Sequence, residues 1–482
     1  MTVLTKAQIK LAEEKAVKNG TFSFRELMYT AGKSAFCEIV SRYEVEGKKI
    51  AVICGKGNNG GDGCVIADLL LSKSADVTLI LPYGPPKTEN ANYYFEKLNS
   101  IKTLSAFEGE YDYIIDALFG IGFVGSPDKD TARLIEAVNK SNAVKISVDI
   151  PSGVECDTGA VNGIAIKSDL TLTFISYKPC FVLPEGSDYC GEVKVIDIGV
   201  DVIEKTYEII EKPILRPRNH NCHKGTFGTA LLICGSYGMA GALMMSAKAC
   251  LRSGVGIVKC MIPKSIYAPV TSFIPEAVCV PKKETRHGTL KYNKKELKEQ
   301  IKSADAVLFG CGIGNPKSNV KTLKYLLTNY TKTLIIDADG INALSLNIDL
   351  LEKSKASVIL TPHPGEMARL CGTTVTKIEE NRPKFAKKIA LKYKCHLVLK
   401  GSNTIVATPK GEIFFNILGN SGMATGGTGD VLAGVITSLS AQGYSDKEAA
   451  EYGVYLHSLA GDNALKVKSP TALLPTDIIE RL

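Results

Sequence analysis

The segment Gly419-Asn420-Ser421-Gly422-Met423-Ala424-Thr425-Gly426-Gly427-Thr428-Gly429-Asp430 interleaves glycines with hydroxyls and ends in one acid, just before the apolar run Val431-Leu432-Ala433-Gly434-Val435-Ile436. Glycines let backbone N–H groups come close to an anion, and the N-terminus of a helix favours negative charge. The pattern implies an anion-binding turn, with Asp430 placed where a phosphoryl group would meet a reacting hydroxyl. A solvent-exposed glycine loop is the bland alternative, but such loops seldom open directly into an apolar helix.

A second constellation, Cys54-Gly55-Lys56-Gly57-Asn58-Asn59-Gly60-Gly61-Asp62-Gly63, stands between a β-rich run and the helix-like Val65–Leu71. It satisfies G-x-G-x-x-G, yet a dinucleotide fold expects an acid at the end of the second strand, where this chain has Leu81-Pro82-Tyr83. The side chains set this loop apart: two Asn and one Asp offer amide oxygens and a carboxylate beside phosphate-ready N–H groups. Polar loops also follow later strand ends, at Asp116–Phe123, at Val148-Asp149-Ile150-Pro151-Ser152-Gly153 and around Lys178. In an open parallel sheet such loops converge on one crevice. Asn59, Asp116 and Ser152 could then give oxygens to a hard cation, leaving Asp149 for proton transfer. Any one of these acids could instead be a helix cap or turn former.

The elements that must position these loops alternate in a regular way. Short β-rich runs at Lys49–Cys54, Asp76–Leu81, Tyr113–Asp116, Lys145–Ile150, Leu170–Phe174 and Val193–Ile198 are mostly separated by helix-length stretches, which implies a parallel sheet covered by helices. After a charged stretch, Asp201–Lys212, and the proline-bearing Pro213–His220, the rhythm restarts at Thr229–Cys234, Ile257–Ile262, Ala306–Phe309, Thr333–Ile336, Val358–Leu360, Leu397–Leu399 and Thr404–Ala407. Two α/β domains are expected, residues 1–211 and 212–482.

At 482 residues the chain exceeds one core, and 45% apolar with 22% charged residues is ordinary for a globular protein. The net charge of +8 comes mostly from scattered Lys, as in Lys291–Lys302, without a basic block or interleaved aromatics, so no nucleic-acid partner is expected. The opening Thr2–Lys18 mixes charges throughout, and no segment approaches the roughly 18 apolar residues of a membrane span. Fourteen cysteines are spread singly, most inside apolar runs, and read as small buried hydrophobes of a reducing compartment. A cytoplasmic protein is expected.

G-K-G-N-N-G-G-D-G, D-A-L-F-G-I-G-F and V-D-I-P-S-G, in this order, resemble the YjeF N-terminal family of NAD(P)HX epimerases over residues 1–205, and Glu26–Gly32 also fits. The resemblance implies a Rossmann-like three-layer α/β fold. It further implies that Asn58, Asn59, Gly60, Gly61 and Asp62, with Gly120, Ile121, Gly122, Phe123, Val124, Gly125 and Ser126, contact the hydrated nucleotide. By the same resemblance Asn59, Asp116 and Ser152 bind potassium and Asp149 approaches the substrate.

The second half adds His223-Lys224-Gly225-Thr226-Phe227-Gly228, Gly235–Ala242, Gly310–Gly314, Asp337–Asn342, Thr361-Pro362-His363-Pro364-Gly365-Glu366 and Lys400-Gly401-Ser402-Asn403-Thr404, each at or near a strand end. Flanking prolines fix His363 as ligand loops often do, and Lys400, after three apolar residues, reads as a phosphate neighbour. No G-x-x-x-x-G-K-[ST] is present, which excludes a P-loop enzyme. This set resembles the ribokinase-like superfamily and, more narrowly, the YjeF C-terminal family of NAD(P)HX dehydratases over residues 215–482. The resemblance implies adenine-nucleotide binding by Lys400, Gly401, Ser402, Asn403 and Thr404 and by Asn420, Ser421, Gly422, Met423, Ala424, Thr425, Gly426, Gly427, Thr428 and Gly429. Ala242, Gly314, His363 and Asp430 would face the substrate. Cys311 stands where that family usually has Pro, a change expected to act on loop stiffness.

The two resemblances explain each other. Hydrated NADH and NADPH exist as two epimers, a stereospecific dehydratase uses one, and a fused epimerase rescues the other. The implied co-substrate is ADP, with Mg²⁺ in the second domain, K⁺ in the first, NADHX and NADPHX as substrates, and a homo-oligomeric assembly. A small-molecule kinase, or a nucleotide-binding protein with dead sites, would share the G-x-G-D turn; the joint presence of Asp430, Asn59, Asp116 and Asp149 argues against the latter.

Overall fold

The computed structural model describes residues 1–98, 101–202, 207–314 and 316–482, and part of the charged stretch read as a linker therefore lies outside the described residues. Two compact units are formed, Met1–Glu208 and Ile209–Leu482. Each is a mixed α/β body built on a parallel sheet.

In the first unit the strands lie in the order Lys102–Leu104, Asp76–Ile80, Lys49–Cys54, Tyr113–Ala117, Val144–Val148, Leu170–Phe174 and Glu192–Ile196, every neighbouring pair parallel. The chain enters at Lys49–Cys54, moves to one edge, and then crosses to Tyr113–Ala117. The order therefore reverses between these two strands, and the loops after them open a crevice there. Helices Phe24–Arg42 and Asn58–Leu71 join one apolar cluster with Ile50, Val52, Val77 and Leu79; Leu134, Ile135 and Val138 of helix Lys129–Lys140 cover Ala51, Ile53 and Ile114 on the other face. Burial on both faces explains why these strands read as apolar runs rather than as alternation. Ser23 and Glu26 form a capping box that starts Phe24–Arg42.

The sequence expectation for Val65–Leu71 is corrected, because that helix begins at Asn58. Its first turns contain Gly60, Gly61 and Gly63, and glycine weakens any helix forecast. Packing demands them: a Cβ on Gly60 would lie 1.9 Å from the Gly55 carbonyl oxygen, and one on Gly63 2.6 Å from Cys54 Sγ.

In the second unit the order is Val278–Lys282, Ile257–Pro263, Thr229–Ile233, Ala306–Phe309, Thr333–Ile336, Ser357–Leu360 and His396–Leu399, all parallel, followed by antiparallel Ile405–Ala407 and Ile413–Phe415. The reversal falls between Thr229–Ile233 and Ala306–Phe309. Helices Ala240–Arg252, Thr428–Ala441 and Asp446–Leu465 cover one face through Leu243, Val431, Val435 and Val454. Lys102–Leu104, Val278–Lys282 and Ile413–Phe415 escape the sequence reading, being short and, in the first two, partly exposed edge strands. Among the described residues no helix is long and apolar enough to cross a membrane.

Candidate functional sites

The first unit holds a cavity of about 630 Å³ at its switch point, walled by the start of helix Asn58–Leu71, the loop from Leu118 to Val124, Asp149 and Lys178. Asp149 follows strand Val144–Val148 with φ 71°, a left-handed backbone that is costly for a residue with a side chain. That turn carries its carboxylate to the cavity wall beyond the strand's C-terminal end. Asp149 Oδ1 lies 2.8 Å from Nζ of the fully buried Lys178, and Oδ2 accepts from the Ile121 N–H at 3.1 Å. Lys178 also donates to the Phe174 carbonyl and the Thr173 hydroxyl. Asp149 thus meets the loop at Ile121, and Gly120–Val124 but not Gly125 or Ser126 line the cavity, whereas Lys178 entered the sequence reading only as part of a loop.

Beneath them lies the proposed cation group. Asp116 is fully buried; Oδ1 accepts from Ser152 Oγ at 2.5 Å and Leu118 N–H at 3.2 Å, and Oδ2 from Ser147 Oγ at 2.7 Å and Ser152 N–H at 2.8 Å. Burial pushes its pKa up despite these donors. Asn59 donates to the Phe119 and Val148 carbonyls at 2.8 and 3.2 Å, while its own Oδ1 is buried with no hydrogen-bond partner. Asn59, Asp116 and Ser152 are therefore brought together around one loop crossing. Asp62 is half-buried, and desolvation, with Asp149 next, holds its carboxyl well above the usual range.

In the second unit four strand-end loops converge on Asp430. Helix Thr428–Ala441 starts behind Gly427, whose φ of 101° suits glycine, so Gly429 and Asp430 occupy its first turn. The site is more strongly charged than the sequence suggested. Lys400 Nζ lies 2.6 Å from Asp337 Oδ1 and 4.0 Å from Glu366 Oε2. Thr361 Oγ1 donates to the same Asp337 oxygen at 2.7 Å. Cys311 Sγ lies 3.6 Å from Asp337 Oδ2, and one ligand-type atom each of Cys311, Asp337 and Asp430 fall within 4.8 Å of one another. Burial, then the neighbouring Asp337, push the Asp430 carboxyl up to about 7, against the opposing effects of Cys311 and Lys400. Glu366 is likewise raised to about 7 by burial. Burial works against the charge on Lys400, but Asp337 and Glu366 outweigh it and raise its pKa.

His363 caps helix Pro364–Cys371, and Glu366 accepts from its N–H at 2.8 Å, so the flanking prolines and this box fix the imidazole at the rim. Ala242 and Gly312 touch: a Cβ on Gly312 would lie 2.9 Å from that of Ala242. The Gly314 N–H donates to Asp339 at 2.9 Å. A Cβ on Gly429 would stand 3.2 Å from Lys400 Nζ, so Lys400 does reach the glycine turn. Within that turn the side chains divide. Asn420 binds Asp462 at 2.9 Å and Met423 packs toward Gly461, whereas Ala424, Thr425 and Gly426 are exposed.

Residues 25–180 match the YjeF-related protein N-terminus, and residues 230–482 match NAD(P)H-hydrate dehydratase. A bifunctional NAD(P)H-hydrate repair enzyme of Moorella thermoacetica is 34% identical over 95% of this chain and 91% of its own length. The chain belongs to the bifunctional NAD(P)H-hydrate repair enzyme family. An Escherichia coli repair enzyme is 33% identical over 100% of this chain and 93% of its own. Among solved structures, an ADP/ATP-dependent NAD(P)H-hydrate dehydratase from Bacillus subtilis, co-crystallised with ATP/Mg²⁺, is 29% identical with a TM-score of 0.48, covering 55% of this chain and 91% of that one.

In this repair enzyme, sequence reasoning assigned no role to Asp337, Glu366 or Arg382. The first two had a signal, since each stands in a polar strand-end motif already noted. Arg382 had none. Its guanidinium, 1% exposed, donates to the carbonyls of Ser402 at 2.6 Å and of Leu399 and Lys400 at 3.2 Å, and so sets the loop that carries Lys400. Cys311, read from the sequence for loop stiffness, also places a thiol beside the Asp337 and Asp430 carboxylates.

Proposed function

We propose that residues 1–211 epimerise R- and S-NAD(P)HX and residues 212–482 dehydrate the S epimer to NAD(P)H, converting ADP to AMP and phosphate. The observation that carries the dehydratase reading is Asp430, a half-buried carboxyl raised to about 7 at the head of a glycine-led helix, within reach of Lys400's charge network. A base poised near neutrality takes a hydroxyl proton efficiently. Hydroxide leaves poorly, so the hydroxyl oxygen of the substrate, relieved of its proton by Asp430, attacks the terminal phosphorus of the nucleotide. Lys400 and the N–H groups of Gly426–Gly429 hold the charge that spreads over the transferred group. The C–O bond then breaks with phosphate as leaving group, and loss of a proton from the adjacent carbon restores the ring double bond.

Mg²⁺ would neutralise phosphate charge, and Asp337 offers a carboxylate of the kind such a cation takes besides phosphates. In the first unit the orphaned Asn59 Oδ1, with Asp116 and Ser152 beside it, suits a weakly hydrated K⁺, which would order the loop crossing. Asp149, aimed into the cavity, supplies proton transfer to the substrate there, while Asn58–Asp62 and Gly120–Ser126 hold it.

The test is to incubate pure protein with mixed NADHX epimers and ADP or ATP separately, following dihydronicotinamide absorbance and inorganic phosphate. Complete conversion with stoichiometric phosphate is expected with ADP. A phosphorylated product that accumulates without phosphate release would overturn the assignment in favour of a kinase.

A further inference from the structure

The opening helix Lys6–Lys18 lies before the matched region, which starts at residue 25, yet it forms a wall of the first unit's cavity through Ile9, Lys10 and Glu13. Its placement is fixed at several points by residues next to the reacting groups. Leu4 N–H donates to the Tyr177 carbonyl at 2.9 Å and Tyr177 N–H to the Thr2 carbonyl at 3.2 Å, which ties the chain to the residue preceding Lys178. Lys6 N–H donates to Asp157 at 2.8 Å, and Lys6 Nζ to the Gly122 carbonyl, in the substrate loop, at 3.3 Å. Thr5 and Gln8 close the helix start. Two turns on, and one turn beyond the buried Ile9, Glu13 faces the same space as Asp149 and Lys178.

Epimerisation at the hydrated carbon needs two proton positions, not one. Hydration of the ring double bond places the hydroxyl on the carbon beside the ring nitrogen, because protonation of the enamine makes that carbon the electrophile. Such a carbinolamine inverts by opening. The O–H bond breaks and its proton passes to a carboxylate; the C–N bond breaks, its electron pair goes to nitrogen, and nitrogen receives a proton from a carboxylic acid as the C=O bond forms. Rotation about the adjacent C–C bond and reversal of the transfers close the other epimer, with no net gain or loss of atoms. One group must accept while the other donates.

Both Asp149 oxygens already accept, one from Lys178 Nζ and the other from the Ile121 N–H. The donor must come from elsewhere in the cavity. Asp62, half-buried at the same wall, belongs to the segment that holds the substrate, which leaves Glu13. We infer that Glu13 is the second proton-transfer residue of the epimerase site, working opposite Asp149. Resting on the epimerase reading above, this adds a catalytic group from outside the family-matched segment. The charged groups around it are Asp149 and Lys178 from the strand-end loops, Asp62 from helix Asn58–Leu71, Lys56 at the cavity wall, and Lys10 and Glu14 on its own helix. Burial first, then Asp149, bring the Glu13 carboxyl up to about 7, where an acid both gives and regains a proton readily.

The test uses the full chain and a single purified epimer that the dehydratase does not accept, so that turnover reports epimerisation. Glu13→Gln is expected to lower kcat for epimerisation by about 100-fold with little change in KM, and to lack the pH-rate limb near 7 expected of the parent. Glu13→Asp should retain part of the rate, and Glu14→Gln all of it. Dehydration of the accepted epimer by the same preparations should match the parent, which checks that the protein is folded. Parental kcat and pH profile in Glu13→Gln, or a loss confined to KM, would overturn the inference. If the parent itself fails to interconvert the epimers, the epimerase reading falls instead.

Discussion

Lys400 Nζ and Asp337 Oδ1 lie 2.6 Å apart although their residues are 63 positions apart in the chain. The pair brings the ends of strands Thr333–Ile336 and His396–Leu399 together beneath the glycine turn, and sets the charge that Asp430 meets. Removing either neighbour of Asp430 should therefore shift the pH dependence of dehydration.

The signs differ between neighbours. Asp337 raises the Asp430 pKa, so Asp337→Asn should move the acid limb of kcat/KM from about 7 toward lower pH; Cys311 lowers it, so Cys311→Ala should move that limb upward. A base works only when deprotonated, so activity climbs as pH rises through the limb. Rate profiles of the two variants that shift in the same direction would remove Asp430 as the titrating base.

Asp430→Asn should cut nucleotide-dependent dehydration by about 100-fold or more while epimer interconversion continues, since the two sites lie in separate units. Single-epimer assays of each step on one preparation check this. Near-parental dehydration would end the assignment.

Asp149→Ala should stop epimerisation without much loss of K⁺ affinity, whereas Asp116→Ala, which strips Ser147, Ser152 and Leu118 of their shared acceptor, should weaken both ion and nucleotide binding. Where spontaneous epimerisation is slow, an equal epimer mixture should be repaired about halfway and then stall in either variant. Full repair at the parental rate by Asp149→Ala would mark that residue as structural.

Arg382→Leu should destabilise the second unit by about 3 kcal/mol, because three carbonyls lose a charged donor. Gly401→Ala should act through the same contact: Gly401 has φ 148°, and a Cβ there would lie 2.7 Å from Arg382 Nη2. Thermal unfolding and the KM for nucleotide measure both effects. An unchanged Tm in Arg382→Leu would show that solvent replaces the guanidinium without cost.

The parallel α/β class was legible in the residue pattern alone, since strands buried on both faces leave apolar runs that no helix period explains. The candidate chemical loops were legible too: the glycine turn before Asp430, the Asn58–Asp62 segment and the motifs around Asp149 and Lys400 are local patterns of residue type, and local patterns survive in one dimension. Their pairings do not. Lys178 with Asp149, Asp337 with Lys400, Cys311 between two carboxylates and Arg382 under the Lys400 loop join residues from different strand ends, and only the order of strands in the sheet decides which ends are neighbours. Glu13 is the extreme case. On a helix of mixed charge it reads as a solvated residue, and the hydrogen bonds of Leu4 and Lys6 to distant loops are what turn it toward the cavity. Burial and proximity, which set the pKa values near 7 of Glu13, Glu366 and Asp430, exist only once the chain has folded.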